Sequence, residues 1–553
     1  MRFTADLETT TDPEDCRPWA LGICTIEKEP KFTCSNTLDY LFEFAELHPN
    51  STFYFHNLKF DGEFLLVWLF EHGFKLCKNK QLLEEKTFNT LISDKGQFYS
   101  LIICLDANNY ITFYDSLKIL PFSVEAVAKG FDLPISKLEL DYKQKREVGH
   151  TLSDEEKLYL RHDVEIMARA LFILFGQNLN KMTQGSNALA DYKSLVGKAR
   201  FKRAFPTMPY EIDKDIRRSY KGGFTYCDPR RQGQDVGEGI VLDVNSLYPS
   251  VMYFNKLPYG EPVYFEGQYK QDDFYDLYIQ MFTCNFEIKP NHIPTIQIKK
   301  SNIFVQTEYL TSSNGEDVTL CLTNPDLELF MEHYNVFNIQ YLHGWKFKST
   351  KGLFTDYIDK WNMIKMESTL NGNKSMRTLA KLMMNALYGK FALNPDVQSK
   401  WPLYDNGQIR YTLGDKEQRN PIYIPVGSFI TAWARYKTIS SAQLVYDRFL
   451  YADTDSLHLL GTDIPSELEI DPVKLGAWDH EKTFTRARFL RQKTYVEEVD
   501  GKLEITCAGM PTNCYQYVNW DNFRVGYTFP GKLLPQHVKG GIVLKDVDFC
   551  IRE

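Results

Sequence analysis

Two aspartates one residue apart, Asp453 and Asp455 in FLYADTDSLHLL, are flanked on both sides by alternating apolar residues. Such alternation marks a half-buried strand, in which residues i and i+2 share a face. The spacing predicts a strand bounded by a hairpin turn, with both carboxylates on one face. Like charges so placed call for a cation. A second apolar run, IVLDVNSLYPSVMY, reaches Asp243 at the start of another turn. Three carboxylates on two strands suit a pair of divalent ions held against a phosphate, so nucleotidyl transfer is the first function class in view.

With 553 residues, 43% apolar and 14% aromatic, the chain can bury several cores, and its length predicts roughly three to four folding units. No run of roughly 18 uncharged apolar residues occurs. The N-terminus MRFTADLETT has acids where a secretory signal carries its apolar core. No signal peptide and no membrane span are therefore expected, and the cytoplasm is the expected location. The 11 cysteines form no CxxC pair, which argues against a disulfide framework or zinc ribbon and for reduced thiols.

A net charge of −8 does not exclude a polyanionic partner, because local clusters decide. Lys and Arg interleave with aromatics in VGKARFKRAF (196–205), at Arg217, Arg218 and Lys221, and in FTRARFLRQKTY (484–495). That mixture suits phosphate tracking and base stacking, although each run alone also fits a solvated helix face.

The first ~180 residues alternate strand and helix patterns, an α/β layout. Asp6 and Glu8 alternate on the first strand, and Asp61 follows Asn57 in FHNLKFDGEF. Asp163 falls on a helix whose capping box, Ser153 with Glu156, sets its start near Asp154. Tyr159 precedes Asp163 by one turn. Four carboxylates and a phenol match the needs of a two-metal 3′-5′ exonuclease, with Tyr159 orienting the attacking water. In KSMRTLAKLMMNALYGKF, a single helix would place Lys374, Arg377, Lys381, Asn385 and Tyr388 within an arc of about 80°. Leu379, Leu382, Met383 and Ala386 would lie opposite. Such a helix can grip a triphosphate and pack a ring on a nascent base pair.

The ordered set DLETT, HNLKFDGEF, YLRHD, YKGGF, DVNSLYP, LAKLMMNALYGKF, TAWARY, YADTDS and RQKTY resembles the family B DNA polymerases, and within them the protein-primed phage branch. The resemblance implies an α/β RNase H-like 3′-5′ exonuclease domain joined to an α+β right-hand polymerase domain of palm, fingers and thumb. The implied boundaries are exonuclease 1–183, palm 184–254 and 424–510, fingers 353–392 and thumb 511–553. Two insertions, 255–352 and 393–423, would seat a terminal priming protein and close a ring around DNA.

The resemblance further implies metal ligands at Asp6, Glu8, Asp61 and Asp163, with Tyr159 and Lys137 assisting cleavage. Thr9, His56, Asn57, Phe60, Ser116, Leu117, Phe122 and Tyr142 would hold the single-stranded primer end. In the polymerase half it implies metal at Asp243, Asp455 and the Val244 carbonyl, with Asp453 as a less directly bound acid. Tyr248, Lys365, Arg377, Lys381, Asn385 and Tyr388 would bind the nucleotide. The Tyr248 ring would exclude a 2′-hydroxyl. Tyr220, Gly222 and Gly223 would meet the template, and Lys493 and Tyr495 the primer. Arg377 stands where the family has lysine, and the loop STLNGNKS makes the fingers a few residues longer.

Two Mg²⁺ or Mn²⁺ ions per active site are the implied cofactors. Primer-template DNA, dNTPs and a terminal protein are the implied partners of a monomer acting in the cytoplasm of an infected bacterial host. Strand displacement and high processivity follow from the ring. An RNA-dependent polymerase or reverse transcriptase would share the paired strand acids but not DLETT, NLKFD and YLRHD. An inactive nucleic-acid-binding scaffold would require the loss of a metal acid, and all are present.

Overall fold

RFTADLET folds into β1 (Arg2–Thr9), the strand on which the N-terminal half is organised. Phe3, Ala5 and Leu7 enter a core with Phe53, Phe55 and Phe113, while Thr4, Asp6 and Glu8 take the other face. β1 pairs antiparallel with Pro18–Thr25 and parallel with Thr52–Phe55 inside an eight-stranded mixed sheet. The computed structural model describes residues 1–106, 109–142, 144–298 and 308–552.

Helix α1 (Leu58–Glu71) packs on the Phe3 side of the sheet. Helix α2 (Val124–Gly130) follows, and α3 (Asp154–Gly176) covers the opposite side. The Ser153–Glu156 capping box forms as its spacing requires. Gly22 lies beneath α3, where a Cβ would sit 3.4 Å from Leu160 and Val164, at the near edge of ordinary contact. Thr4 Oγ1 then donates to Val164 O at 2.7 Å, fixing the helix against β1.

In the second half, β2 (Gly239–Val244), β3 (Phe449–Asp453), β4 (Ser456–Leu460) and β5 (Trp478–Phe484) form a five-stranded antiparallel sheet with Thr225–Cys227. The order is β5-β2-β4-β3, then Thr225–Cys227. Helices α4 (Thr355–Leu370) and α5 (Lys374–Ala386) stand as a hairpin beside it. The α5 helix stops before Tyr388, which begins a separate turn, Tyr388–Phe391. The single helix expected through Tyr388 is thus two pieces. Helix α6 (Ile424–Leu444) is buried along most of its length.

Between these elements lies a four-stranded sheet spanning Leu257 to Thr350, with the helix Asn324–His333. Residues 299–307 of this segment lie outside the described residues. A long hairpin, Asp396–Asp405 with Gln408–Gln418, reaches the N-terminal half. There Tyr411 OH donates to Glu63 Oε1 of α1 at 2.6 Å. His537 of the C-terminal hairpin, Thr528–Val538 with Gly541–Cys550, meets Glu63 Oε2 at 3.4 Å. The two hairpin tips also touch, Gly540 N–H donating to Gly407 O at 2.9 Å.

Part of one basic run is engaged within the chain. Arg486 and Arg488 of β6 (Arg486–Arg491) both pair with Asp235, and the Arg486 guanidinium lies 4.1 Å from the Trp520 ring centre. Those two cations share one carboxylate, whereas Arg491 and Lys493 of the same run do not pair with Asp235. All 11 cysteines are free. Among the described residues no helix is long and apolar enough to cross a membrane.

Arg435 of α6, only 2% exposed, ties three elements together. It forks onto Asp326 at 3.0 and 2.6 Å and donates to the carbonyls of Lys221 and Gly222, both at 2.8 Å. Replacing it by methionine strands Asp326 in the core, and chemical denaturation is expected to register a loss of about 3–5 kcal/mol. Arg435→Lys should recover only part of it, because one ammonium cannot reproduce a planar fork.

Candidate functional site

Pairing of β2 with β4 sets Asp243 opposite Ser456, and Val244 N–H donates to Asp455 O at 2.8 Å. Asp243 and Asp455 are thereby neighbours. The shared strand face expected for Asp453 and Asp455 does not form. Asp453 ends β3, whereas Asp455 lies in the turn, where Thr454 has φ of 60° and Asp455 N–H closes on Asp453 O at 2.7 Å. A hairpin reversal of this kind breaks the period of two. Asp455 consequently joins Asp243, while Asp453 accepts from Lys493 Nζ at 2.9 and 3.0 Å and from Thr225 Oγ1 at 3.1 Å.

The turn is clamped from two sides. Thr454 N–H donates to Phe224 O at 2.6 Å, and Thr438 Oγ1 of α6 donates to Thr454 O at 2.7 Å. Of the two linker glycines only Gly223 is needed for close approach, since a Cβ there would strike Thr454 Oγ1 at 2.7 Å. Gly222 opens onto free space. Burial pushes the Asp243 carboxyl up to about 7, helped by the charges of Asp455, Glu481 and Asp479. Burial also raises Asp455, and Asp453 adds to the effect.

Asp479 is the cross-strand partner of Asp243 in β5. Neither Asp479 nor Glu481 was singled out by sequence. WDHEKTF looks like any charged edge strand until its partner is known.

Tyr248 stacks on Tyr388, ring centres 4.1 Å apart and planes within 20°. Arg377, Lys381 and Asn385 are exposed on α5, with Leu379, Ala380, Met383 and Met384 buried beneath. Leu382 and Ala386 are only half-buried. Burial lowers the Lys365 and Lys381 ammoniums, and mutual repulsion with Arg377 lowers them further. None of the three cations has an ion-pair partner among the described residues. They form an anion-seeking cluster near the stacked rings. Tyr495 of β7 (Thr494–Val499) packs its ring against Tyr451 and His458 at 5.0 and 5.1 Å, beside Lys493.

In the other half, Asp6 and Glu8 of β1 and Asp163 of α3 bring carboxylate oxygens within 4.8 Å of one another. Lys137 Nζ donates to Asp163 Oδ2 at 2.7 Å, while Asp163 Oδ1 is buried with no hydrogen-bond partner among the described residues. Asp61 stands outside this triplet, in the first turn of α1, and accepts from Leu7 N–H at 3.3 Å. Burial pushes Glu8 up to about 8 and Asp61 up to about 7. Asp6 rises as well, through burial and then the charges of Asp61, Glu8 and Asp163. Tyr159 and Tyr142 share a hydrogen bond of 2.7 Å between their hydroxyls.

Beside this triplet runs a cleft of about 890 Å³ whose walls include Thr9, His56, Asn57, Phe60, Lys137, Tyr142 and Tyr159. Leu533, Pro535 and Leu544 of the C-terminal hairpin close it, a contribution that sequence spacing could not reveal. Three expected strand-holding residues are not on its walls. Ser116 is fully buried, and its Oγ lies 3.1 Å from His56 Nδ1. Phe122 O meets His56 Nε2 at 2.7 Å, and Leu117 N–H donates to Asp115. Ser116 and Phe122 thus hold the His56 ring from behind the groove.

The family model for DNA polymerase type B, organellar and viral, matches residues 47–157 and 139–471. The DNA polymerase of Bacillus phage phi29 is 46% identical, covering 100% of this chain and 99% of its own. A phi29 DNA polymerase crystal structure superposes with a TM-score of 0.95 at 45% identity, covering 100% of both chains. A ternary complex of that polymerase with primer-template DNA and incoming nucleotides has a TM-score of 0.93 at 46% identity, again over both whole chains.

Carboxylates raised in the folded state keep protons that the unfolded chain has already released. Without a bound cation, folding stability should therefore fall as pH rises from about 4, the unfolded value, towards the 8 of Glu8. Thermal unfolding in EDTA should show a midpoint that drops between pH 5 and pH 8. Millimolar magnesium should stabilise more at pH 8 than at pH 5, and Asp6→Asn with Glu8→Gln should flatten the slope. An unchanged slope in that variant would contradict the assignment of the strain to these acids.

Proposed function

The chain belongs to the organellar and viral type B DNA polymerases, and from that membership we propose that it extends DNA at the Asp243–Asp455 centre and proofreads at the Asp6–Glu8–Asp163 centre. It is a DNA-directed DNA polymerase, and such enzymes require divalent metal. The observation that carries the site assignment is the meeting of Asp243 with Asp455 across the β2–β4 pairing.

Both centres fit hard cations. Asp163 Oδ1 is an orphaned buried acceptor, and Asp243 is driven towards protonation unless positive charge compensates. When bound, two magnesium or manganese ions per centre supply neutralisation of the phosphate and activation of the attacking oxygen. Asp243, Asp455 and the Val244 carbonyl would hold them in the polymerase half, and Asp6, Glu8, Asp61 and Asp163 in the exonuclease half. Asp453, paired with Lys493, aligns the turn and the primer-contacting lysine rather than binding metal first.

The primer 3′-oxygen gives up its proton to solvent and attacks the α-phosphorus of a dNTP in line, forming the new phosphodiester as the bond to the β-phosphate breaks and pyrophosphate leaves. Lys365, Arg377 and Lys381 neutralise the triphosphate, and Asn385 faces it from the same helix. Tyr248, braced by Tyr388, lies under the sugar and leaves no room for a 2′-hydroxyl. Tyr220 and Gly223 guide the template, and Lys493 and Tyr495 the primer. A frayed 3′ end crosses as single strand into the cleft of Thr9, His56, Asn57, Phe60 and Tyr142. There Lys137 orients Asp163, and Tyr159 orients water.

The protein-primed start, from a hydroxyl of a separate terminal protein, is read for the segment 255–352. The hairpin 393–423 is read as closing a ring with the thumb, which gives processivity and strand displacement to a monomer in the host cytoplasm.

Asp455→Ala should lower primer extension by roughly a hundredfold or more while degradation of single strands persists. Asp163→Ala should do the reverse. In Tyr248→Val the preference for dNTPs over rNTPs should shrink by roughly tenfold or more. Loss of both activities together in Asp455→Ala would refute two separate centres. Long products from a circular template with the protein alone would support the ring, and short ones would refute it.

A further inference from the structure

The clasp between the exonuclease half and the fingers is made by three consecutive residues. Gly130 O accepts from Thr378 Oγ1 at 2.8 Å, Phe131 O accepts from Ser375 Oγ, and Asp132 pairs with Lys374 at 2.8 Å. All three fingers residues lie in the first turns of α5, the helix that carries Arg377 and Lys381. The contact is not confined to the surface. Val127, Ala128 and Phe131 are buried in the same core as Leu379, Ala380 and Met383.

The opposite end of the seven-residue α2 leads into the exonuclease groove. Ser123 caps α2 by accepting from Ala126 N–H, and the preceding Phe122 carbonyl holds His56 Nε2 at 2.7 Å. One short helix therefore has the groove histidine at its start and the nucleotide-gripping helix at its end. Two turns of helix transmit displacement with little loss, because each backbone hydrogen bond is closed internally.

We propose that α2 is a strut between the two centres: Gly130, Phe131 and Asp132 position α5, so the exonuclease half contributes to nucleotide affinity during polymerisation. The strut rests on the reading of α5 as the nucleotide-gripping helix. Ser375 and Thr378 act through Arg377 and Lys381 and are positioning residues. Loosening the clasp misplaces cations that must converge on a triphosphate, so affinity suffers before chemistry does. The dNTP concentration at which extension overtakes degradation is then set partly by this contact.

The test is steady-state extension and single-strand degradation by the full chain carrying Ser375→Ala with Thr378→Val. KM for dNTP should rise about threefold to tenfold, the range for lost hydrogen bonds. The kcat and the rate of single-strand degradation should stay within about twofold of the parent. The dNTP concentration balancing extension against degradation should rise by the same factor as KM. Thr378→Ser, which keeps the donor, should behave as the parent.

Should the double variant unfold, Lys374→Glu provides the second arm. It should raise KM, and adding Asp132→Lys should reverse the rise. Arg377→Ala separates the two readings. If it leaves KM unchanged, the assignment of α5 fails. If it raises KM while the clasp variants do not, the strut is refuted.

Discussion

Carboxylates repel one another, and this fold brings two groups of them together. In the N-terminal half Asp6, Glu8 and Asp163 meet beside β1, with Asp61 held to the Leu7 N–H of the same strand and Lys137 as the ammonium hydrogen-bonded to Asp163. In the second half Asp243 and Asp455 meet with Asp479 and Glu481 close by, and Lys493 is committed to Asp453. Burial raises each of Asp6, Glu8, Asp61 and Asp243, and neighbouring carboxylates add to it, while Lys137 beside Asp6 and Glu8 and the Leu7 N–H at Asp61 offset part of the rise. Protonation or a bound cation relieves such an arrangement, and a chain that keeps it does so for the chemistry it permits.

Holding like charges together requires a stiff frame. For the N-terminal group the frame is the alternation of β1, the capped start of α3 and the Thr4 hydrogen bond that fixes α3 to β1. For the second group it is the β2–β4 register together with a turn clamped by Phe224 O, Thr438 and the missing side chain at Gly223. The same device appears twice with different parts. A strand supplies one acid, and a second element is locked beside it by hydrogen bonds that have no part in the chemistry.

Single polar residues join the subdomains. Arg435 ties the core helix α6 to Asp326 and to the linker carbonyls that precede Gly223. Glu63 receives Tyr411 from the inserted hairpin and His537 from the C-terminal hairpin, so three regions converge on one carboxylate. Thr378 and Ser375 fasten α5 to the N-terminal half. Each joint is directional, and it specifies an orientation that hydrophobic contact alone leaves free.

Local rules in the sequence determined much. Alternation gave β1 and its two faces, the Ser153–Glu156 spacing gave the start of α3, and apolar periodicity gave Leu379 and Met383 of the buried side of α5, which Ala380 and Met384 complete in place of Leu382 and Ala386. The acids at 6, 8, 163, 243 and 455 were legible as types and positions, because strand and helix periods act over a few residues. Other features depended on groups far apart in the chain. The hairpin reversal that separates Asp453 from Asp455 is held by Phe224 and Thr438, and the retreat of Ser116 behind His56 follows from the sheet. The sharing of Asp235 by Arg486 and Arg488, and the cross-strand placement of Asp479, likewise came only from pairing. Periodicity fixes which way a side chain points along its own element. Which partner stands opposite is decided by register and packing, and that is set only when the whole chain has closed.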